Sequence, residues 1–247
     1  MSKTRKVKKV TAGACTYMVG YNQAFPSDSP KVRAAKAKAS SQAQIKMNFK
    51  KSCEKLELLL YCNFTEQDYF VTLTYDGDYL PARKMYADSN VHYFFARLRA
   101  SRKRRGEPLN YLYVTEGLHG DKRVHHHAII NAAGSYEEVA SEIRACWKYG
   151  NVADIEHLDM SDAERLAKYL TKEPREYGNY KKSVNSWTPS RGLKRPVTEY
   201  YFTETNKGLF APPGAHILKS EYRKENEFGT YTYLKYLMPD SGTQIRQ

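Results

Sequence analysis

The alternation of apolar and polar positions divides the chain into segments with the period of a strand or of a helix. Residues 1–28 are basic and then polar without a clear period, and they predict an arm. From Ser29 and Pro30, a possible N-cap and first helical residue, a helical pattern runs to Asn63. It combines an apolar stripe with a basic face: Ile45, Phe49, Ser52, Cys53, Leu56, Leu59 and Leu60 against Lys46, Lys50, Lys51 and Lys55.

A strand and a second helix are predicted next. Residues 69–75 (YFVTLTY) are rich in aromatic and β-branched residues, which is typical of a strand. Asp88 or Ser89 can cap a helix that ends at Gly106. Its apolar stripe is Val91, Phe94, Phe95 and Leu98.

The following pattern predicts a hairpin and two further helices. Residues 109–116 and 124–131 read as antiparallel strands with a glycine-containing connection. Two Ser-x-x-Glu capping boxes, at Ser135 and Ser161, open helices on either side of a strand at 152–158. The second of these helices ends at Pro174, and a last strand is predicted at 197–203.

The predicted order is β-α-β-β-α-β followed by a helix. This order indicates an α+β fold with a ferredoxin-like, RRM-like antiparallel sheet and helices on one face. We expect three segments: residues 1–65 as a basic arm with a long amphipathic helix, residues 66–204 as the core, and residues 205–247 as a tyrosine-rich extension.

Charge adds a prediction about the partner. The chain of 247 residues has 40 Lys and Arg against 27 Asp and Glu, a net charge of +13, which favours a polyanion such as nucleic acid over charge that serves solubility alone. We expect the contacts to come from a cationic run on the second helix and from basic residues near 190: Arg97, Arg99, Arg102, Lys103, Arg104, Arg105, Lys181, Lys182, Arg191, Lys194 and Arg195.

Cysteine usage and hydropathy concern the compartment. The four cysteines form no C-x-x-C pair, which fits a reducing cytosol better than a disulfide framework. No apolar run approaches the about 20 residues that span a bilayer, and the N-terminus lacks the apolar core of a secretory signal. We therefore expect a cytoplasmic protein that does not bind a membrane.

Three residues of the hairpin can hold a metal ion. His125 and His127 point to one face of their strand, and Glu116 joins that face if it pairs opposite His125. Two nitrogens and one oxygen suit Mn²⁺ or Zn²⁺ better than Mg²⁺. The alternative is three histidines, His126 included, that bind no metal.

Tyr169 and Lys172 form a second candidate pair. They stand three apart on the last helix and are therefore neighbours on its surface. A phenol becomes a useful nucleophile when a cation or metal stabilises its anion. Without that support, they are an ordinary exposed Tyr and Lys.

The four segments YFVTLTY, YVTE with HHHAIIN, AERLAKYLTKE, and SRGLKRP follow one another in an order that resembles the HUH-endonuclease replication initiators of rolling-circle plasmids and single-stranded DNA phages. The resemblance covers about residues 66 to 200. It implies that His125 and His127 bind a divalent metal, Mg²⁺ or Mn²⁺, with Glu116 as third ligand. It also implies that Tyr169 attacks DNA and that Lys172 is the lysine that follows the nucleophile.

The resemblance implies site-specific nicking of single-stranded DNA at an origin, with a 5′-phosphotyrosine and a free 3′-hydroxyl. The chain lacks a P-loop, so a host helicase and polymerase are expected partners in a bacterial host cell.

Two departures and two alternatives accompany this interpretation. His126 replaces an apolar residue, and Glu173 stands where a second tyrosine would follow Tyr169, so a single-tyrosine enzyme is expected. The alternatives are a non-enzymatic module that binds single-stranded nucleic acid, and a zinc-dependent hydrolase without a tyrosine nucleophile.

Overall fold

The structure is a computed structural model that describes residues 4–21, 42–117, 123–172, 187–204, 208–226 and 229–239. It is α+β, as predicted, with two antiparallel sheets of five strands each. The strands are β1 (Thr4–Ala12), β2 (Cys15–Tyr21), β3 (Tyr69–Thr74), β4 (Tyr111–Glu116), β5 (His125–Ile130), β6 (Val152–His157), β7 (Thr188–Pro189), β8 (Val197–Glu204), β9 (His216–Asn226) and β10 (Gly229–Leu237). The helices of the described residues are α1 (Gln42–Asn63), α2 (Lys84–Arg104), α3 (Tyr136–Cys146) and α4 (Ala163–Leu170).

The chain divides into two compact units, which differ from the three predicted segments. Residues 49–193 form one unit, here called the central unit. Residues 1–48 and 194–247 form the other, the terminal unit. No helix in the described part of the chain is long and apolar enough to cross a membrane.

The central unit contains the sheet β6-β3-β5-β4-β7, in which every described pair is antiparallel. From β3 to β6 its elements follow one another as β-α-β-β-α-β. Side chains from α2 and α3 pack on one face of this sheet, among them Phe94, Phe95 and Ile143 against Val71 and Ala128. Apolar burial on this face fixes the two helices there.

Helices also cover the opposite face, so the predicted one-sided arrangement is wrong. Leu56 and Leu60 of α1 pack with Leu112 and Ile129 of the sheet and with Leu170 of α4. Strands that carry apolar side chains on both faces expose one face to water unless a second layer covers it. This second layer brings α4 to the sheet.

Two helix starts differ from the prediction. Helix α2 begins at Lys84, before the predicted cap at Asp88 or Ser89, and its N-cap Arg83 makes no side-chain capping bond. The box at Ser135 and Glu138 is present as predicted. At α4, Asp162 caps the helix by accepting from the amide of Arg165, so the predicted cap at Ser161 is wrong.

The terminal unit contains the sheet β8-β1-β2-β10-β9. The predicted arm is wrong for residues 4–21, which form two paired strands; their alternation is obscured because lysines occupy the positions between buried Val7 and Val10. The strand predicted at 197–203 exists as β8, but it pairs with β1 instead of joining the core sheet. Residues 29–41 of the predicted long helix and Pro174 lie outside the described residues.

Candidate metal and nucleophile site

The pairing of β4 with β5 brings three candidate metal ligands to one face of the central sheet. Glu116 lies directly opposite His125, the register that the sequence hypothesis required. His127 follows two residues later and therefore projects to the same side. One ligand atom from each of the three residues lies within 4.8 Å of the others. These residues could hold a metal ion.

Hydrogen bonds and burial leave both imidazoles in the form that binds metals. His125 Nδ1 lies 2.9 Å from the carbonyl oxygen of Arg123, which can only accept, so Nδ1 carries the proton and Nε2 keeps its lone pair. That Nε2 lies 3.7 Å from Glu116 Oε2. Burial, with the neighbouring charges of His125 and Lys172, lowers the pKa of His127 to about 3. His127 is therefore neutral at pH 7, with Thr72 Oγ1 3.2 Å from its Nδ1.

The carboxylate of Glu116 offers an oxygen that the protein leaves unbonded. Within the part of the chain that the structure describes, its buried Oε1 has no hydrogen-bond partner. A buried carboxylate oxygen without a donor is costly, and a bound cation would satisfy it. The donor set of two imidazole nitrogens and one carboxylate fits Mn²⁺ or Zn²⁺ and leaves open positions for a substrate oxygen.

Tyr169 and Lys172 lie at the same place, on the C-terminal end of α4. The Tyr169 hydroxyl is 3.2 Å from His127 Nε2, and the side chain is 42% exposed. Lys172 Nζ lies 3.0 Å from Glu116 Oε2 and 3.6 Å above the centre of the Tyr169 ring. Burial lowers the pKa of Lys172, but its contacts with Glu116 and Tyr169 outweigh burial and leave that pKa raised.

Neighbours that the sequence analysis missed hold these groups in place. Thr171 is fully buried, donates from Oγ1 to the carbonyl of Ala167 at 2.7 Å, and lies 3.0 Å from Cys53 Sγ of α1. Phe70 stacks on the His127 ring at 5.2 Å. Strand alternation could have identified Phe70 and Thr72, which share the face of His127. Cys53 carries no signal in the sequence because its partner is 118 residues away.

His126 belongs to the opposite face and is not an alternative ligand. Its side chain is fully buried, with Nε2 2.7 Å from the Tyr75 hydroxyl and Nδ1 2.9 Å from Thr115 Oγ1. Burial, with the nearby charges of His125, Lys84 and His127, lowers the pKa of His126 to about 3. It is a neutral core residue.

The cationic run on α2 is partly structural. Arg102 is wrong as a DNA-contacting residue, because its side chain is 0% exposed and is bonded through Nη1 to Asn131 and through Nε to Glu142. Arg105 forms ion pairs with Glu107 and Glu142. The core needs Arg102 to satisfy polar groups where α2 and α3 approach the end of the sheet.

The other candidates for DNA contact differ in their surroundings. Arg97 donates to the carbonyl of Cys146, and Arg99 to the Tyr111 hydroxyl. Five further candidates have exposed side chains: Lys103, Arg104, Arg191, Lys194 and Arg195. Lys181 and Lys182 lie outside the described residues. Their predicted role in DNA contact stays a prediction.

Comparison with known proteins agrees with a role in replication. The family model for the replication-associated protein ORF2 matches residues 68–174. The matched range includes Glu116, His125, His127, Tyr169 and Lys172. It supports a replication initiator of the Rep type. No curated protein and no solved structure matches the chain.

Proposed function

We propose that this protein nicks and rejoins single-stranded DNA at a replication origin by transesterification, with Tyr169 as the nucleophile. The observation that carries the proposal is the distance of 3.2 Å between the Tyr169 hydroxyl and His127 Nε2, beside the buried carboxylate of Glu116. A half-exposed phenol next to a candidate metal centre is accessible to a phosphodiester. The match to the replication-associated family supports the same reaction class.

The fold of the central unit supports the assignment to the HUH type. Its β-α-β-β-α-β order, with β3 between β6 and β5 and with β4 on the outer side of β5, is that of a ferredoxin-like sheet. In this arrangement the paired histidines lie on an inner strand, on the face that α4 covers. The nucleophile and the ligands thus come from rigid elements, which favours precise positioning.

The chemistry follows from the residues at the site. A divalent ion, Mg²⁺ or Mn²⁺, held by Glu116, His125 and His127 would supply a Lewis acid toward the scissile phosphate. The Tyr169 oxygen forms a bond to phosphorus, and the bond from phosphorus to the 3′ oxygen breaks. Tyr169 loses its proton and the 3′ oxygen gains one. Lys172, above the phenol ring, stabilises the negative charge that develops on Tyr169.

The products are a 5′-phosphotyrosine and a free 3′-hydroxyl. Because one phosphodiester replaces another, attack by that hydroxyl reverses the reaction and reseals the strand. The same hydroxyl can prime synthesis by a host polymerase, with a host helicase to unwind the duplex in the bacterial cytoplasm.

Removal of the phenol oxygen tests the proposal. Wild-type protein, Mn²⁺ and a labelled library of single-stranded origin sequences should give a covalent band on a denaturing gel. Tyr169→Phe should abolish that band, a loss of at least about 1,000-fold, because the nucleophile is gone. Binding of the same DNA should change less than about threefold, since Phe keeps the ring.

Tyr86→Phe is the matched control, because Tyr86 is 51% exposed on α2 and away from the site. It should form adducts at the wild-type rate. Adduct formation by Tyr169→Phe would rule out Tyr169 as nucleophile. Cleavage without any adduct would indicate a zinc hydrolase, and binding that ignores chelator without cleavage would indicate a non-enzymatic module.

A further inference from the structure

The net charge of the chain is concentrated in one of its two units. Residues 1–48 and 194–247 carry 18 lysines and arginines and 7 acidic residues, a net charge of +11. Residues 49–193 carry 22 and 20, a net charge of +2. The unit that contains the candidate nucleophile is thus nearly neutral. Attraction for a polyanion comes mainly from the terminal unit.

One face of the terminal sheet is apolar and covered. Val7, Met18, Leu234 and Tyr236 form its buried cluster, against which Leu209 and its neighbours pack. This cluster is the core that holds the five strands together. The other face is available for a different task.

That other face carries rings and lysines in register. Directly paired residues of antiparallel strands project to the same side. Across the sheet, one row reads Phe202, Lys6, Tyr21, Tyr231, and the next reads Tyr200, Lys8, Val19, Tyr233. We call these eight side chains the aromatic–lysine face.

The outer end of the aromatic–lysine face is open to solvent. Phe202 is 71% exposed and Tyr200 56% exposed on β8, which is an edge strand. Lys6 Nζ lies 4.4 Å from the centre of the Tyr200 ring, so a cation is held beside an exposed aromatic surface. Large exposed rings on a monomer indicate a binding surface.

We propose that the aromatic–lysine face binds single-stranded DNA, with bases stacked on Tyr200 and Phe202 and phosphates beside Lys6 and Lys8. Unpaired bases stack on exposed rings whatever their sequence, and a cationic groove holds the backbone. Two copies of a unit with charge +11 repel one another, which disfavours self-association through this face. The proposal rests on the proposed function for the identity of the ligand.

The test measures binding without chemistry. Full-length protein in chelator is titrated into fluorescent oligo(dT), and anisotropy gives the Kd. Tyr200→Thr and Phe202→Thr keep strand propensity and remove one ring each, so each should weaken binding by roughly tenfold or more. Lys6→Gln should reduce the slope of log Kd against log salt concentration by about 0.7 if it loses one phosphate contact.

Tyr93→Ala is the matched control, because Tyr93 is also 56% exposed but lies on α2 of the central unit. It should leave the Kd unchanged. Unchanged binding by the two strand variants would overturn the inference. So would a wild-type dimer that these variants convert to monomers without loss of DNA affinity, measured by light scattering, because β8 would then join two copies.

Two further readouts separate this inference from the proposed function. If Tyr169→Phe still forms adducts while Tyr200→Thr loses oligo(dT) binding, the nucleophile assignment fails and the aromatic–lysine face stands. If the strand variants bind duplex and single-stranded DNA equally well, like the wild type, the face does not bind DNA, whatever the adduct assay gives.

Discussion

At the scale of single residues, the ammonium of Lys172 neutralises a carboxylate that otherwise lies buried and charged. Lys172 Nζ binds Glu116 Oε2 at 3.0 Å, and the Glu116 side chain is 4% exposed. A buried charge that loses its partner destabilises the fold. The same carboxylate belongs to the candidate metal ligands, so a divalent ion and Lys172 compensate the same negative charge.

This shared carboxylate leads to a prediction for Lys172→Met. In chelator, the variant should lose about 1 to 3 kcal/mol of unfolding free energy, a range reduced because Lys172 is partly exposed to water. Mn²⁺ should then stabilise the variant more than the wild type, because it supplies the missing charge and its binding to the folded state alone adds stability. Urea unfolding with and without Mn²⁺ measures both effects.

Lys168→Met is the control for that experiment. Lys168 lies on the same helix and pairs with Glu164 at the surface, where such pairs contribute about 0.3 to 0.5 kcal/mol. Its response to Mn²⁺ should equal that of the wild type. Equal Mn²⁺ stabilisation of Lys172→Met and wild type would show that the ion does not bind at Glu116.

At the scale of elements, a short helix carries the nucleophile, and its last turn depends on one buried hydroxyl. Thr171 Oγ1 bonds the carbonyl of Ala167 and contacts Cys53 of α1. Thr171 lies between Tyr169 and Lys172 in the sequence and points into the core while they face the site. It therefore fixes the end of α4 relative to the sheet.

We expect Thr171→Val to lower the rate of adduct formation by roughly tenfold or more and to reduce stability by about 1 kcal/mol. The methyl group replaces the hydroxyl in shape but leaves the Ala167 carbonyl with one bond fewer, and a small misplacement of a reacting group is costly. Thr171→Ser, which keeps the hydroxyl, should retain most of the rate. A full rate in Thr171→Val, from single-turnover gels, would show that the helix end is held by other contacts.

The sequence predicted the elements of the central unit better than those of the terminal unit. The burial of Phe94, Phe95 and Leu98 follows a clean helical period. The register of Glu116 with His125 follows from a short hairpin. By contrast, β1 reads as a basic arm because lysines flank Val7, and its partners β8 and β10 lie about 190 and 220 residues further along the chain. Local pattern carries no information about pairing over such separations.

At the scale of the whole molecule, the two buried histidines connect the fold to pH. Both His126 and His127 have a pKa of about 3 in the folded chain, against an ordinary value of 6.5, because burial disfavours their charged forms. A depressed folded-state pKa means that the unfolded chain binds more protons below pH 6.5. Their contribution to stability is therefore complete above pH 6.5 and is lost as the pH falls toward 3.

The expected result in chelator is a steep loss of unfolding free energy between pH 6 and 4, about 1.4 kcal/mol per pH unit for each of the two histidines. Urea unfolding at half-unit steps measures the slope. His126→Asn removes one titrating group and should reduce the slope by about 1.4 kcal/mol per pH unit, whatever its stability at pH 7. His92→Asn, at an exposed position of α2, should leave the slope unchanged. A wild-type stability that stays flat over this range would show that both imidazoles accept protons in the folded protein, and the metal-binding form of His127 would then not be its resting form.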